Sequence, residues 1–125
     1  MFWRILSGMT ILTNEFFQLL SDDTRLRCLL LMQSEGELCV CELIHALNVI
    51  QPKVSRHLAL LRDAGVVSDR RQGQWVYYQL HDELPDWARQ VLLQTAQGVT
   101  AVSPFCDDRV ALTNMPNRPS AACCA

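Results

Sequence analysis

The sequence predicts a mainly α (α+β) fold with five helices and one β-hairpin, and three observations support this prediction. Apolar residues recur at helical spacing through the first half of the chain. Pro52 and Gly65 bound one such segment, as residues in the first turn and just past the end of a helix do. After Gly65 the apolar spacing changes from about 3.6 residues to 2, which is typical of strands. In this order the elements form a winged helix-turn-helix.

The first three helices are predicted ahead of residue 48. The segment "NEFFQLL" predicts the first helix at about residues 14–20, and Asp22 can cap the second helix, which spans about residues 22–33. Acidic residues in the first turn of that second helix are favoured by the helix dipole. Gly36 ends it, and a short third helix begins near residues 39–41 and runs to Leu47.

The remaining elements follow the third helix. The fourth helix begins at Pro52, and Val54, Leu58 and Leu61 form its buried stripe. The segment "VVSDRRQGQWVYYQL" predicts a hairpin with its tip near residues 72–74. The final helix is predicted at about residues 85–99. Its regular apolar stripe at the end of the predicted domain indicates a partner surface.

The length and composition indicate one globular domain. The chain has 125 residues, of which 50% are hydrophobic and 19% are charged. We expect a domain at residues 13–100, preceded by an N-terminal extension at 1–12 and followed by a flexible, cysteine-containing tail at 101–125. No secretory leader or membrane span is expected, which favours a cytoplasmic protein whose thiols stay reduced. The natural start is either Met1 or Met9.

The third and fourth helices form a candidate DNA-reading unit. They are joined only by "LNVIQP", so the second of the two can enter a major groove. Although the net charge is -2, residues 50–80 hold five Lys or Arg against two Asp. The residue types that suit phosphates and base edges lie on the outer face of the fourth helix and at the hairpin tip. These candidates are Gln51, Lys53, Ser55, Arg56, His57, Arg70, Arg71, Gln72 and Gln74.

Four segments carry a resemblance to a known family. "SDDTRLRCLLLM", "GELCVCEL", "QPKVSRHLALLRDAGVV" and "DRRQGQWVYYQL" resemble the ArsR/SmtB family of metal-responsive bacterial repressors, and most closely its arsenical-responsive members. The resemblance implies a homodimer that binds operator DNA without ligand and releases it when ligand binds. It places the dimer interface on the first and last helices. The residues this implies are Phe16, Phe17, Leu20, Leu84, Trp87, Val91, Leu92 and Thr95.

Cys39 and Cys41 are the candidate ligand-binding residues. On a regular helix, side chains two residues apart point about 200° from each other, whereas on an extended segment they share a side. The two thiols can therefore converge only where the helix is beginning. Unpaired N–H groups at a helix start favour the thiolate and lower the cysteine pKa. Two adjacent thiolates suit a soft, thiophilic ion.

Trivalent arsenic or antimony takes three thiolates, and the third is not evident here. Members of the resembling family commonly carry a third cysteine three residues after the second, where this chain has Ile44. Cys28 is interpreted as a core residue. The candidates for the third ligand are Cys106, Cys123 and Cys124, from the same chain or across the dimer. His45 offers only a weak Cys-His zinc pattern.

The predicted function is a repressor that responds to arsenic(III) or antimony(III), with the metalloid as inducer and no cofactor required for DNA binding. The alternatives are a cadmium- or lead-responsive repressor of the same family and a repressor switched by thiol oxidation. An enzyme using Cys41 and His45 is not favoured, because nothing in the sequence suggests a substrate cleft.

Overall fold

The computed structural model describes residues 11–119 and confirms the winged helix-turn-helix. Within these residues it adds a short strand, β1, and a sixth helix, α6, to the predicted elements. None of these helices is long and apolar enough to cross a membrane. The elements are α1 Thr13–Leu20, α2 Asp23–Glu35, β1 Leu38–Cys39, α3 Val40–Leu47, α4 Gln51–Asp63, β2 Val67–Gln72, β3 Trp75–Leu80, α5 Asp86–Gly98 and α6 Phe105–Thr113.

Helix α2 is the centre of the hydrophobic core. Asp22 caps it by accepting a 3.0 Å hydrogen bond from the backbone N–H of Arg25. The helix buries one continuous run of apolar side chains, which contacts α1, α3, α4, α5 and α6. Burial of each leucine stabilises the fold by about 1.5–3 kcal/mol. Cys28 is fully buried in this run, as expected for a core residue.

Helices α3 and α4 form the helix-turn-helix. Asn48 ends α3 in the left-handed conformation, and α4 then begins with Pro52 in its first turn. The predicted stripe of Val54, Leu58 and Leu61 has no exposed surface. At the other end, the N–H of the residue after Gly65 donates to the Leu61 carbonyl, with Gly65 at φ +81°. The stripe and the end of the helix are therefore confirmed.

The three strands form an antiparallel sheet in the order β1-β3-β2. Strands β2 and β3 make the predicted hairpin, here called the wing, and Gly73 at its tip has φ +61°. Strand β1 pairs with β3 through Leu38 opposite Tyr78 and Cys39 opposite Tyr77. The sheet therefore joins the start of α3 directly to the wing.

Helix α6 corrects the prediction of a flexible tail. Residues 105–113 are helical and pack against α2 and α3, with Leu112 fully buried. Arg27 on α2 donates two hydrogen bonds to the buried Asp108 carboxylate, of 2.7 and 2.8 Å, and a third to the Leu47 carbonyl at the end of α3. The long-range ion pair stabilises a helix whose own apolar pattern is weak. Residues 1–10 and 120–125 lie outside the described part, so most of the expected N-terminal extension is not tested.

The predicted dimer stripe divides between the protein core and the surface. Phe16, Leu84 and Leu92 are buried within the single chain, so naming them as interface residues was wrong. Phe17 and Trp87 remain 46% and 39% exposed, with their rings stacked at 6.4 Å between centroids. Three further predicted contacts are half-buried: Leu20, Val91 and Thr95.

Candidate functional site

Cys39 and Cys41 converge at the start of α3. Cys39 is extended, with φ -74° and ψ 149°, and Cys41 lies in the first helical turn. Their sulfur atoms are 3.1 Å apart, with the Cys41 thiol donating to the Cys39 sulfur. The expected convergence at a helix entrance is therefore confirmed. Cys39 is 2% exposed and Cys41 is half-buried, so the pair is accessible to solvent on the Cys41 side.

The Cys41 thiol is stabilised in its protonated form. Burial raises its pKa to about 12, and the hydrogen bond and nearby charge of Cys39 and the Glu42 carboxylate add to this effect. The expectation that the helix start lowers the cysteine pKa is therefore wrong for Cys41. A soft ligand bound by the thiolate form of Cys41 would have to displace this proton.

Glu42 organises the backbone under the cysteine pair. Its side chain is fully buried, and one carboxylate oxygen accepts a 2.7 Å hydrogen bond from the Cys39 N–H. The other oxygen accepts a 2.7 Å hydrogen bond from Arg118 Nε. Sequence reasoning missed both residues. The available signal was a glutamate three residues after a helix cap, the position from which a side chain reaches back to the cap N–H.

The cysteine pair opens into a hollow that also contains DNA-binding candidates. This hollow has a volume of about 330 Å³ and lies between α3, α4 and the wing. Cys39, Cys41 and Ile44 contribute one wall, and Trp75 lies on the side of the wing. The predicted DNA-binding residues that line it are Gln51, Ser55, Arg71 and Gln74.

Most of the predicted DNA-binding side chains are on the surface. Gln51, Lys53 and Arg56 are exposed on α4, and Ser55 is half-buried beside them. On the wing Arg71, Gln72 and Gln74 are also exposed. The basic face of α4 and the tip of the wing are thus both open to a polyanion.

Arg70 is held against the body of the protein. It donates hydrogen bonds of 2.6 and 2.7 Å to the Glu37 carboxylate and one of 2.7 Å to Gln72. Its guanidinium also lies 4.5 Å from the centroid of the Tyr77 ring. Arg70 therefore links the wing to the segment that precedes the cysteine pair.

His57 does not lie on the DNA-binding face. It is 7% exposed, with Nδ1 3.2 Å from Arg25 Nη1 and Nε2 3.7 Å from the Asp22 carboxylate. Its prediction as a DNA-binding residue is therefore wrong. Helical spacing places residue 57 at the edge of the inward stripe, and packing against α2 decides its side.

We expect the stability of the protein to increase with pH up to about 6.5 because of His57. Burial lowers the folded-state pKa of His57 below its ordinary value of 6.5, so the unfolded chain binds more protons in that range. The free energy of unfolding should therefore rise as the pH approaches 6.5. Above that pH, His57 should add no further pH dependence. Urea denaturation between pH 5 and 8 measures this slope, and His57→Gln should flatten it. An identical slope in His57→Gln would contradict the assignment of this pH dependence to His57.

The described residues do not supply a complete metalloid site. Within residues 11–119, no third Cys, His, Asp or Glu joins the cysteine pair to make a metal-binding cluster. Cys106 lies in the first turn of α6, with its sulfur 3.7 Å from the carboxylate of Asp107, and within one chain it does not join the cysteine pair in a cluster. The prediction that it acts as third ligand across a dimer is not tested by a single chain. Ile44 packs against the core. Cys123 and Cys124 lie outside the described residues.

Comparison with known proteins finds relatives over most of the chain. The arsenic resistance transcriptional regulator ArsR2 of Pseudomonas putida is 52% identical over 112 residues, which cover 88% of this chain and 96% of the relative. The chain belongs to the ArsR family. The sequence profile described as bacterial regulatory protein, arsR family, matches residues 22–69 of this ArsR-family protein. The arsenical resistance operon repressor of Escherichia coli is 50% identical over 82 residues, covering 66% of this chain and 70% of the relative.

Solved structures of similar regulators share the fold of this ArsR-family protein. The AntR antimony-specific transcriptional repressor superposes with a TM-score of 0.58 at 27% identity, covering 67% of this chain and 73% of that one. HlyU from Vibrio cholerae superposes with a TM-score of 0.59 at 28% identity, covering 65% and 84%. Family membership makes the chain a DNA-binding transcriptional regulator and not an enzyme.

Proposed function

We propose that this ArsR-family protein is a cytoplasmic transcriptional repressor that responds to trivalent arsenic or antimony. It binds double-stranded operator DNA as a homodimer, without a cofactor, and releases the DNA when the thiolates of Cys39 and Cys41 hold the metalloid. The names of its relatives in Pseudomonas putida and Escherichia coli, which refer to arsenic resistance, support this inducer. The exposed pair of Phe17 and Trp87 supports a partner surface on α1 and α5.

The observation that carries the proposal is the hollow shared by the cysteine pair and the DNA-binding candidates. Sulfur atoms 3.1 Å apart are suited to bind one soft ion together. The same hollow is lined by Gln51 and Ser55 at the start of α4. An ion bound by the pair therefore lies beside the N-terminal end of the helix that reads DNA.

Two short connections carry the effect of the ion to the DNA-binding face. Helix α3 begins at the cysteine pair and packs against α4, which presents Lys53 and Arg56. Cys39 is also paired with Tyr77 in the wing through the sheet. Drawing the two sulfurs around one ion changes the start of α3 and shifts both connections. A coupling of about 1–3 kcal/mol would change operator affinity about 5- to 150-fold.

The test is fluorescence anisotropy of the DNA upstream of the gene, titrated with the reduced protein. Arsenite and antimonite should each raise the dissociation constant for this DNA, whereas zinc should not. Parallel titrations with cadmium, lead and peroxide separate the two alternatives. Release by cadmium or lead alone would support a divalent-metal sensor, and release by peroxide with recovery by reductant would support a redox switch.

We expect Arg56→Ala to weaken operator binding by about tenfold, equally with and without arsenite. Arg56 is exposed on the outer face of α4, and loss of a phosphate or base contact costs about 1–3 kcal/mol. Anisotropy at several salt concentrations measures both the affinity and its salt dependence. Arg109→Ala, on α6, is the control and should leave affinity unchanged. Equal affinity for wild type and Arg56→Ala would remove this residue from the DNA-binding face.

A further inference from the structure

Ile50 is the most exposed of the large apolar side chains in residues 11–119. It lies directly before α4, and 71% of its surface is open to solvent. Burial of apolar surface stabilises a fold, so an isoleucine left this open to water contributes little to stability. Single apolar side chains are common at protein surfaces, and exposure alone does not assign a role to Ile50.

Ile50 is also an unfavourable residue for the start of a helix. It occupies the N-cap position of α4, with φ -63° and ψ 148°, and its side chain makes no capping hydrogen bond. Serine, threonine, aspartate and asparagine are preferred at this position, and isoleucine is among the poorest residues there. Helix α2 shows the usual arrangement, in which Asp22 accepts a hydrogen bond from the N–H of Arg25. A side chain that suits neither water nor the helix start indicates a contact outside the folded chain.

The position of Ile50 places it among the DNA-binding candidates. In a helix-turn-helix, the N-terminal residues of the second helix contact base edges in the major groove. Ile50 immediately precedes Gln51, and Lys53 and Arg56 are exposed in the first two turns of α4. Its carbonyl accepts hydrogen bonds of 3.2 Å from the N–H groups of Lys53 and Val54, which fix it to the first turn. An apolar side chain is therefore held at the end of the helix that would enter the groove.

The major groove offers one apolar group to such a side chain. This group is the C5-methyl of thymine, whereas the other base edges present hydrogen-bond donors and acceptors that suit Gln, Lys and Arg. We propose that Ile50 is a specificity-determining residue, which packs against the C5-methyl group of a thymine in each half of the operator. This inference rests on the proposed function, in which a homodimer binds double-stranded DNA, and it names a base that the protein reads.

Deoxyuridine in place of thymidine tests this contact, because it pairs in the same way and lacks only the methyl group. Two versions of the DNA upstream of the gene, one with thymidine and one with deoxyuridine throughout, are titrated with the reduced full-length protein in fluorescence anisotropy. Burial of one methyl group changes affinity about fourfold, and two subunits together change it about 15-fold. The wild type should therefore bind the thymidine DNA about 4- to 15-fold more tightly than the deoxyuridine DNA. Ile50→Ser should bind the two versions with nearly equal affinity.

Two further variants and a stability measurement separate a DNA contact from a structural role. Ile50→Val keeps two branched methyl groups and should retain part of the preference for thymidine DNA. Val110→Ser is the matched control, because Val110 is a β-branched residue, 59% exposed on α6, and this variant should show the wild-type preference. The urea midpoint of Ile50→Ser should equal or exceed that of the wild type, because serine is a preferred N-cap residue.

The same preference for thymidine DNA in the wild type and in Ile50→Ser would overturn the inference, as would the absence of any preference in the wild type. Equal losses of affinity for both DNAs in Ile50→Ser, together with a lower urea midpoint, would also overturn it, since Ile50 would then support the fold. Failure of the proposed function is a different result, in which the wild type binds neither version of this DNA more tightly than DNA of unrelated sequence.

Discussion

Replacement of both Cys39 and Cys41 with serine is expected to abolish the release of operator DNA by arsenite while DNA binding itself is retained. Serine keeps the size and the backbone conformation at the start of α3 but offers no soft ligand for the metalloid. In the wild type, arsenite should change operator affinity about 5- to 150-fold, and in the double variant this ratio should fall to about one. Fluorescence anisotropy with and without arsenite measures the ratio.

The matched control is Cys106→Ser. Cys106 is a half-buried cysteine of α6 that the structure does not bring to the pair, so its variant should release DNA as wild type does. Normal release by Cys39→Ser/Cys41→Ser would exclude the pair as the metalloid site. Loss of DNA binding without arsenite would instead mean that the start of α3 has a structural role in the DNA-binding unit.

The second large effect is expected from Asp108→Ala, which should lower the free energy of unfolding by about 3 kcal/mol. The variant leaves the Arg27 guanidinium in a site where its side chain is only 14% exposed, without the carboxylate that accepts two of its hydrogen bonds. Removing one partner of a buried ion pair costs about 3–5 kcal/mol. The lower end of this range applies here because Arg27 retains its hydrogen bond to the Leu47 carbonyl. Its guanidinium also lies 3.8 Å from the Asp23 carboxylate.

Urea denaturation of the wild type and the variant measures this change. Asp107→Ala is the control, because Asp107 is exposed on the same helix and its loss should cost less than about 1 kcal/mol. Similar small effects from both variants would mean that α6 is not anchored through Arg27. A large effect specific to Asp108 would confirm that α6 is part of the folded domain and not a loose tail.

Much of the DNA-binding unit followed from local sequence features. Pro52 allows a helix to begin but not to continue through it, and Gly65 accepts the left-handed conformation that ends α4. The change of apolar spacing after Gly65 predicted the wing. The extended geometry that brings Cys39 and Cys41 together also followed from their spacing at a helix start.

Features that depend on distant residues were not predicted. Helix α6 has little apolar periodicity. Its position depends on the ion pair between Asp108 and Arg27, which are 81 residues apart in sequence. The ion pair of Glu42 with Arg118 spans 76 residues. Sequence spacing carries no information about such pairs, because charges at many positions are equally able to form them.

The sequence by itself determined the five predicted helices and the wing, which face of α4 is buried, and that two thiols can converge at the start of α3. These properties depend on steric limits within a few residues and on apolar spacing. Only the tertiary structure decided that His57 and Phe16 face the core, that the cysteine pair shares a hollow with Gln51 and Arg71, and that Arg118 lies next to Glu42. An apolar stripe shows that a face will be covered, but only the packing of the elements shows what covers it.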